Sequence, residues 1–208
     1  MIRTRLTYKK GNSLKYTGHL DLHKVWERTL RRAQLPLAYS QGFHPQPRIQ
    51  QACPLPLGFT SESEMLDIWL NDELNIEAIT AALLPALHPG IEIIRIESIP
   101  LNAAPLQTIV ATSDYRVQFN EPQGTPDHEK INWFLDHPTL MRERRGKPYD
   151  LRPLVHQLYL AEEPRPGLLM RLSVLPGATG RPEEVLDVLG IDINSVQVIR
   201  TALGFLQQ

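Results

Sequence analysis

His19, Asp21 and His44 are the side chains in this sequence best suited to moving protons. An imidazole beside a carboxylate supports acid–base work near neutral pH. His19 and Asp21 open a helical pattern, whereas His44 lies in a loop. The set therefore assembles only if that loop folds over the helix start. The alternative is a loop pinned to the helix end by ordinary hydrogen bonds. His19 and His23 stand one helical turn apart, a spacing that two ligands of one metal ion can share. Asp21 points away from that pair and no third ligand is near in sequence, so no metal site is expected. Cys53 is the only cysteine. It cannot form an internal disulfide or hold an iron–sulfur cluster, and between Ala52 and Pro54 it reads as a small buried residue. Gly177-Ala178-Thr179-Gly180 lacks the spacing and lysine of a phosphate loop. No cofactor is expected.

Charge gives a second kind of candidate. Residues 1–60 hold ten basic and two acidic residues, a net +8, and residues 61–100 hold one basic and eight acidic, a net −7, although the whole chain is near neutral at −1. Lys24, Arg28, Arg31 and Arg32 recur on one stripe of a helical pattern. Like charges one turn apart cost a few tenths of a kcal/mol per pair. Guanidinium groups suit bidentate contacts to phosphate. The loop that follows adds Tyr39, Ser40, Gln41, Gly42, Phe43, His44 and Arg48, among them rings and a guanidinium able to stack on bases. The competing reading is a solvated helix face, or one neutralised by acids 62–77. Alternation in residues 2–9 predicts a strand with Ile2, Thr4, Leu6 and Tyr8 on one side and Arg3, Arg5, Thr7 and Lys9 on a wet side.

The elements that must position these residues follow from periodicity. An apolar stripe of Leu22, Val25, Trp26, Thr29, Leu30 and Ala33 predicts a helix over 19–33, capped at Thr17 or Gly18 and ended by Pro36. Short strands are predicted over 49–54 and 64–70, a helix over 75–87 and a strand over 91–96. That order is the β-α-β-β-α-β of a ferredoxin-like unit. Residues 99–107 read as a linker. The second half predicts strand 109–119, helix 127–137, strand 168–175, helix 182–189 and strand 196–203. Residues 139–161 fit either strand or short helix. The expected fold is α+β, with two ferredoxin-like halves, 1–98 and 108–208, each an antiparallel sheet. No apolar run is long enough to span a bilayer and the first residues lead into no signal segment, so a cytoplasmic protein with no membrane partner is expected.

Several motifs resemble one family: Gly18-His19-Leu20-Asp21-Leu22, Glu27 through Ala33, Leu35 through Arg48, and Pro54 through Glu64. Residues 145–153, 180–186 and 199–201 fit it too. The resemblance is to the radical-SAM-linked proteins, a bacterial domain of unknown function. It stands alone or fused behind a cobalamin-binding-type radical SAM domain. That family usually has serine where Gly18 stands, which argues against a serine nucleophile, and His23 lies outside its motif. The resemblance implies a radical SAM partner on a separate chain and brings no catalytic residue. The expected function is a non-catalytic accessory that presents RNA or a similar polyanion to that enzyme. Lys24, Arg28, Arg31, Arg32 and Arg48 would hold phosphates, and Tyr39, Phe43 and His44 would contact a base or ligand. The alternatives are an enzyme using His19, Asp21 and His44, or a protein–protein adaptor.

Overall fold

A computed structural model of the protein describes residues 1–120, 125–161 and 167–206. The chain is a mixed α/β protein in which antiparallel strands carry most of the structure and helices are few. It divides into two compact units, Met1–Val110 and Ala111–Gln208.

The sheet of the first unit consists of β1 (Ile2–Lys10), β2 (Ile49–Gln51), β3 (Thr60–Leu70) and β4 (Ile91–Ile99). Their order is β4-β1-β3-β2, and each neighbouring pair is antiparallel. Ile2, Thr4 and Leu6 of β1 stand opposite Leu70, Ile68 and Leu66 of β3, which makes one face almost wholly apolar. Helices α1 (His19–Arg32) and α2 (Ile76–Leu83) supply Leu22, Trp26, Leu30, Ile79 and Leu83 to the same core. Each fully buried aliphatic side chain contributes about 1.5–3 kcal/mol. Trp26 has no exposed surface and lies edge-on to Tyr8, ring centroids 4.8 Å apart.

The ends of α1 have identifiable causes. Gly18 enters in an extended conformation, and Asp21 in the first turn and Arg31 and Arg32 in the last complement the helix dipole. At the far end Gln34 takes a left-handed φ of 54°. The Gln34 N–H donates to the Arg31 carbonyl at 3.0 Å and the Leu35 N–H to that of Leu30 at 3.4 Å. This is the Schellman closure with glutamine in the usual glycine position, and Pro36 then prevents continuation.

The other face of this sheet differs from the wet face expected for strand 1. Arg3 is 2% exposed, and the Arg5 side chain 13%. The register places Arg3 beside Trp69 and Arg5 beside Asp67. A second layer then closes over them: the Arg3 guanidinium donates to the carbonyls of Ala103 at 2.5 Å and Ala104 at 3.0 Å. The following short helix α3 (Leu106–Ile109) buries Leu106, whose N–H donates to Gln50 Oε1 at 3.1 Å. Residues 99–107 are thus fastened to the first unit by side-chain hydrogen bonds, which the proline- and alanine-rich composition did not announce.

The second unit contains β5 (Val110–Phe119), α4 (His128–Asp136), β6 (Met141–Arg144), β7 (Lys147–Asp150), β8 (Val155–Ala161), β9 (Gly167–Leu175), β10 (Ala178–Thr179), α5 (Pro182–Val188) and β11 (Val196–Phe205). The order of its long strands is β8-β9-β5-β11, with β10 extending the β8 side of β9. The ambiguous stretch 139–161 resolves as the β6–β7 hairpin, a single helical turn and β8. Arg145 and Gly146 both adopt positive φ, 53° and 76°, as a two-residue hairpin turn of matching twist requires. Asp127 caps α4 by accepting the Lys130 N–H at 2.8 Å, and Pro182 opens α5 where its missing N–H costs nothing.

Candidate nucleic-acid interface

Because Leu22, Trp26 and Leu30 fix the buried side of α1, Lys24, Arg28, Arg31 and Arg32 emerge on the other side, all exposed. Their partners are few. Lys24 reaches Asp21 at 3.5 Å and Arg31 reaches Glu27 at 3.8 Å, both within the helix. Arg32 donates to the Ala86 carbonyl at the end of the turn that follows α2, which gives it a structural duty. Among the described residues Arg28 has no hydrogen bond or ion pair. Acids 62–77 do not neutralise the stripe: the pairs it makes are with Asp21 and Glu27.

The loop after α1 is a narrow hairpin. The Ala38 N–H donates to the Trp69 carbonyl and the Trp69 N–H to the Arg48 carbonyl, which docks its base on β3. Inside it, the Ser40 N–H donates to the Gln46 carbonyl, the Arg48 N–H to that of Ala38, and the Gln46 N–H to Ser40 Oγ at 3.0 Å. Tyr39 pairs across with Pro47. Gln41, Gly42, Phe43 and His44 form the exposed tip, where Gly42 takes φ +133° and the Phe43 ring is fully in solvent. A backbone of that φ disfavours any side chain at position 42.

The foot of the hairpin borders a groove of about 390 Å³ that sequence reasoning missed. It is lined by Arg3, Ser40, Gln46, Arg48, Gln50 and Trp69, among others. The groove lies on the sheet face away from α1, since Trp69 and Arg3 alternate with the core residues Ile68, Leu70 and Leu6. The Trp69 ring has guanidinium carbons at 4.9 Å (Arg3) and 4.8 Å (Arg48) from its centroid. The structure thus brings Ser40 and Arg48 together in the groove and leaves the four helix cations as a separate patch. A usable signal was present. In Met65-Leu66-Asp67-Ile68-Trp69-Leu70 the alternate residues Asp67 and Trp69 share the face that carries Arg3 and Arg5.

His19 is half-buried, while Asp21 is largely exposed and bonds only to Lys24. His44 is exposed at the hairpin tip, and no hydrogen bond joins it, Asp21 and His19 to one another. Among the described residues no group of three or more His, Cys, Asp or Glu side chains is placed to hold a metal ion. None of their helices is long and apolar enough to cross a membrane.

In the second unit Arg144 serves structure. Arg144 chelates Glu184 at 3.1 and 2.5 Å and donates to the Thr179 carbonyl, which fastens the β6–β7 hairpin to α5. The neighbouring Tyr149 phenol is pushed up to about 12, chiefly by burial and then by its hydrogen bond to Glu184. Glu183 is held above the ordinary carboxylate range, chiefly by burial, and its Oε2 is buried with no hydrogen-bond partner.

Comparison with known proteins adds a family and little else. Residues 3–182 match the model of DUF2344, an uncharacterized protein conserved in bacteria. No curated protein matches. A crystal structure of an unknown protein from Galdieria sulphuraria is similar over 99% of both chains at 14% identity, with a TM-score of 0.30.

Proposed function

We propose, for a chain that belongs to the DUF2344 family, that the first unit is a polyanion-binding module that holds RNA for a partner enzyme. One observation carries this reading: α1 exposes four cations on one stripe, and among the described residues Arg28 in its middle has no partner. The two carboxylates on the helix lie 3.5 and 3.8 Å from Lys24 and Arg31. The radical SAM enzyme implied by the resemblance is the partner of this proposal, on a separate chain and in the cytoplasm. The ferredoxin-like reading of both units belongs to it as well. The strand orders β4-β1-β3-β2 and β8-β9-β5-β11 support that reading, and the β6–β7 hairpin is an addition to the plan.

The test is RNA binding against salt. Wild-type affinity for a structured RNA should fall steeply as salt rises, with a log–log slope of about 0.9 per phosphate contact on duplex. Lys24→Glu with Arg28→Glu should weaken binding by about tens-fold and flatten the slope, since losing two contacts and adding two repulsions acts on the same term. Arg32 is left intact because it caps Ala86. Unchanged RNA affinity in the double variant removes the helix stripe from the proposal. Loss of binding to the radical SAM partner, with no RNA affinity in the wild type, would instead identify an adaptor.

A further inference from the structure

We propose that the groove at the foot of the 38–48 hairpin binds a phosphate group carried on a nucleotide. The inference takes its ligand class from the polyanion reading above but concerns a different face of the sheet and different residues.

The first argument is charge. Arg3, Arg5, Lys9, Arg48 and Arg95 share this face with three carboxylates, Asp67, Glu92 and Glu97, of which Glu92 is engaged by Lys9 at 2.7 Å. Glu97 is engaged by Arg95 at 2.7 Å. Both oxygens of the fully buried Asp67 are taken by Arg3 and Arg5, at 2.6 to 3.0 Å. Arg48 is left without a carboxylate. Its one polar contact is Nη1 to the Met1 thioether at 3.6 Å, a weak acceptor. The Nε and Nη2 donors of Arg48 remain unused beside the groove.

The second argument is the chemistry of the lining. No acidic side chain lines the groove. Ser40 Oγ already accepts the Gln46 N–H, so its own hydroxyl proton is available to donate. Gln50 Oε1 accepts the Leu106 N–H, so its remaining capacity is the amide N–H₂. Arg3 uses four of its five N–H donors on Asp67 and two backbone carbonyls, which makes it a positioning residue: it holds Trp69, and Trp69 supports Arg48. A cationic cleft that offers donors and no carboxylate suits a tetrahedral oxyanion better than a cation or a neutral carbonyl. The outer face of the Arg48 guanidinium, turned away from Trp69, is a surface on which a base can stack. A volume of about 390 Å³ accommodates a single nucleotide, within the usual range for ligand clefts.

The experiment titrates the full chain with adenosine 5′-monophosphate and, separately, adenosine, by calorimetry and tryptophan fluorescence. The monophosphate should bind at least about tenfold more tightly, because only it offers the Arg48 donors a charged oxygen acceptor. Arg48→Gln should lower its affinity at least tenfold, and Trp69→Phe should remove the fluorescence response. Ser40→Asp, which adds a carboxylate at the exposed hairpin foot, is the second variant should Arg48→Gln fail to fold, and it should abolish binding. Equal affinity for the two ligands, or indifference to both substitutions, overturns the proposal. Competition identifies the source of the phosphate: displacement by an unphosphorylated RNA oligonucleotide supports a backbone phosphate, displacement only by a 5′-phosphorylated one supports a chain end, and displacement by neither supports a free nucleotide. The two readings fail separately. Monophosphate binding lost in Arg48→Gln without RNA affinity anywhere leaves the groove standing alone. RNA binding lost in the helix double variant, with no monophosphate binding, leaves the stripe standing alone.

Discussion

Asp67 in the first unit and Asp114 in the second occupy similar places on central strands and are treated very differently. Asp67 has no exposed surface and serves two guanidinia, Arg3 and Arg5. Asp114 serves one, Arg171, at 2.7 and 2.8 Å, and both partners of that pair reach solvent. The same holds across the second unit, where Arg142 meets Asp187 and Arg144 meets Glu184 one to one. These three arginines of the second unit each meet one carboxylate, while Arg152 is held by the carbonyls of Leu135 and Val155. In the first unit one buried carboxylate serves two arginines, and among the described residues Arg28 and Arg48 meet no carboxylate.

The largest expected effect tests the buried end of this comparison. Asp67→Asn removes the counter-charge of two covered guanidinia and should destabilise the chain by about 3–5 kcal/mol, as for other buried pairs broken on one side. Asp114→Asn should cost under about 1 kcal/mol, because water screens the exposed Arg171. Urea midpoints of the two variants measure the contrast, and equal shifts would erase it.

A smaller effect concerns the clamp in the second unit. Tyr149 is raised from its usual 10 to about 12, so between these values the unfolded chain loses a proton that the folded one keeps. Stability should therefore fall as pH rises through that window, being fully present below about pH 10. Tyr149→Phe should make the loss shallower than in wild type. Phenolate absorbance of native Tyr149→Phe should lack one late-titrating phenol that native wild type shows; identical native titrations would show that Tyr149 is not raised.

The smallest effect is at Glu183, where burial favours the protonated form and Oε2 lacks a partner. The folded state then binds this proton more strongly than the unfolded one. The contribution is present at acid pH, below the unfolded value, and is lost as pH rises through the raised folded value. Glu183→Gln should accordingly be slightly more stable than wild type at neutral pH and indistinguishable from it near pH 3. Chemical denaturation at the two pH values checks this, and destabilisation at neutral pH would show that the folded state favours the charged form instead.

Much of this protein was determined by local sequence. The 3.6-residue stripe of Leu22, Trp26 and Leu30 dictated α1, and the same periodicity placed Lys24, Arg28 and Arg31 in solvent, because helix geometry makes one face the complement of the other. Alternation fixed which residues of β1 share a face. Gly42 and the prolines around it marked a loop, which the structure pairs as a narrow hairpin. What local pattern does not contain is register and layering. Arg3 and Arg5 alternate like surface residues, yet the β1–β3 register sets them on Asp67 and Trp69, more than sixty residues away, and residues 103–106 close over them. The groove exists only where that covered face meets the hairpin, so Trp69, Gln50 and Arg3 carried no local sign of sharing a site with Arg48. Tertiary structure alone decided it, since a lining is made by strands and loops that meet in space from four separate stretches of chain.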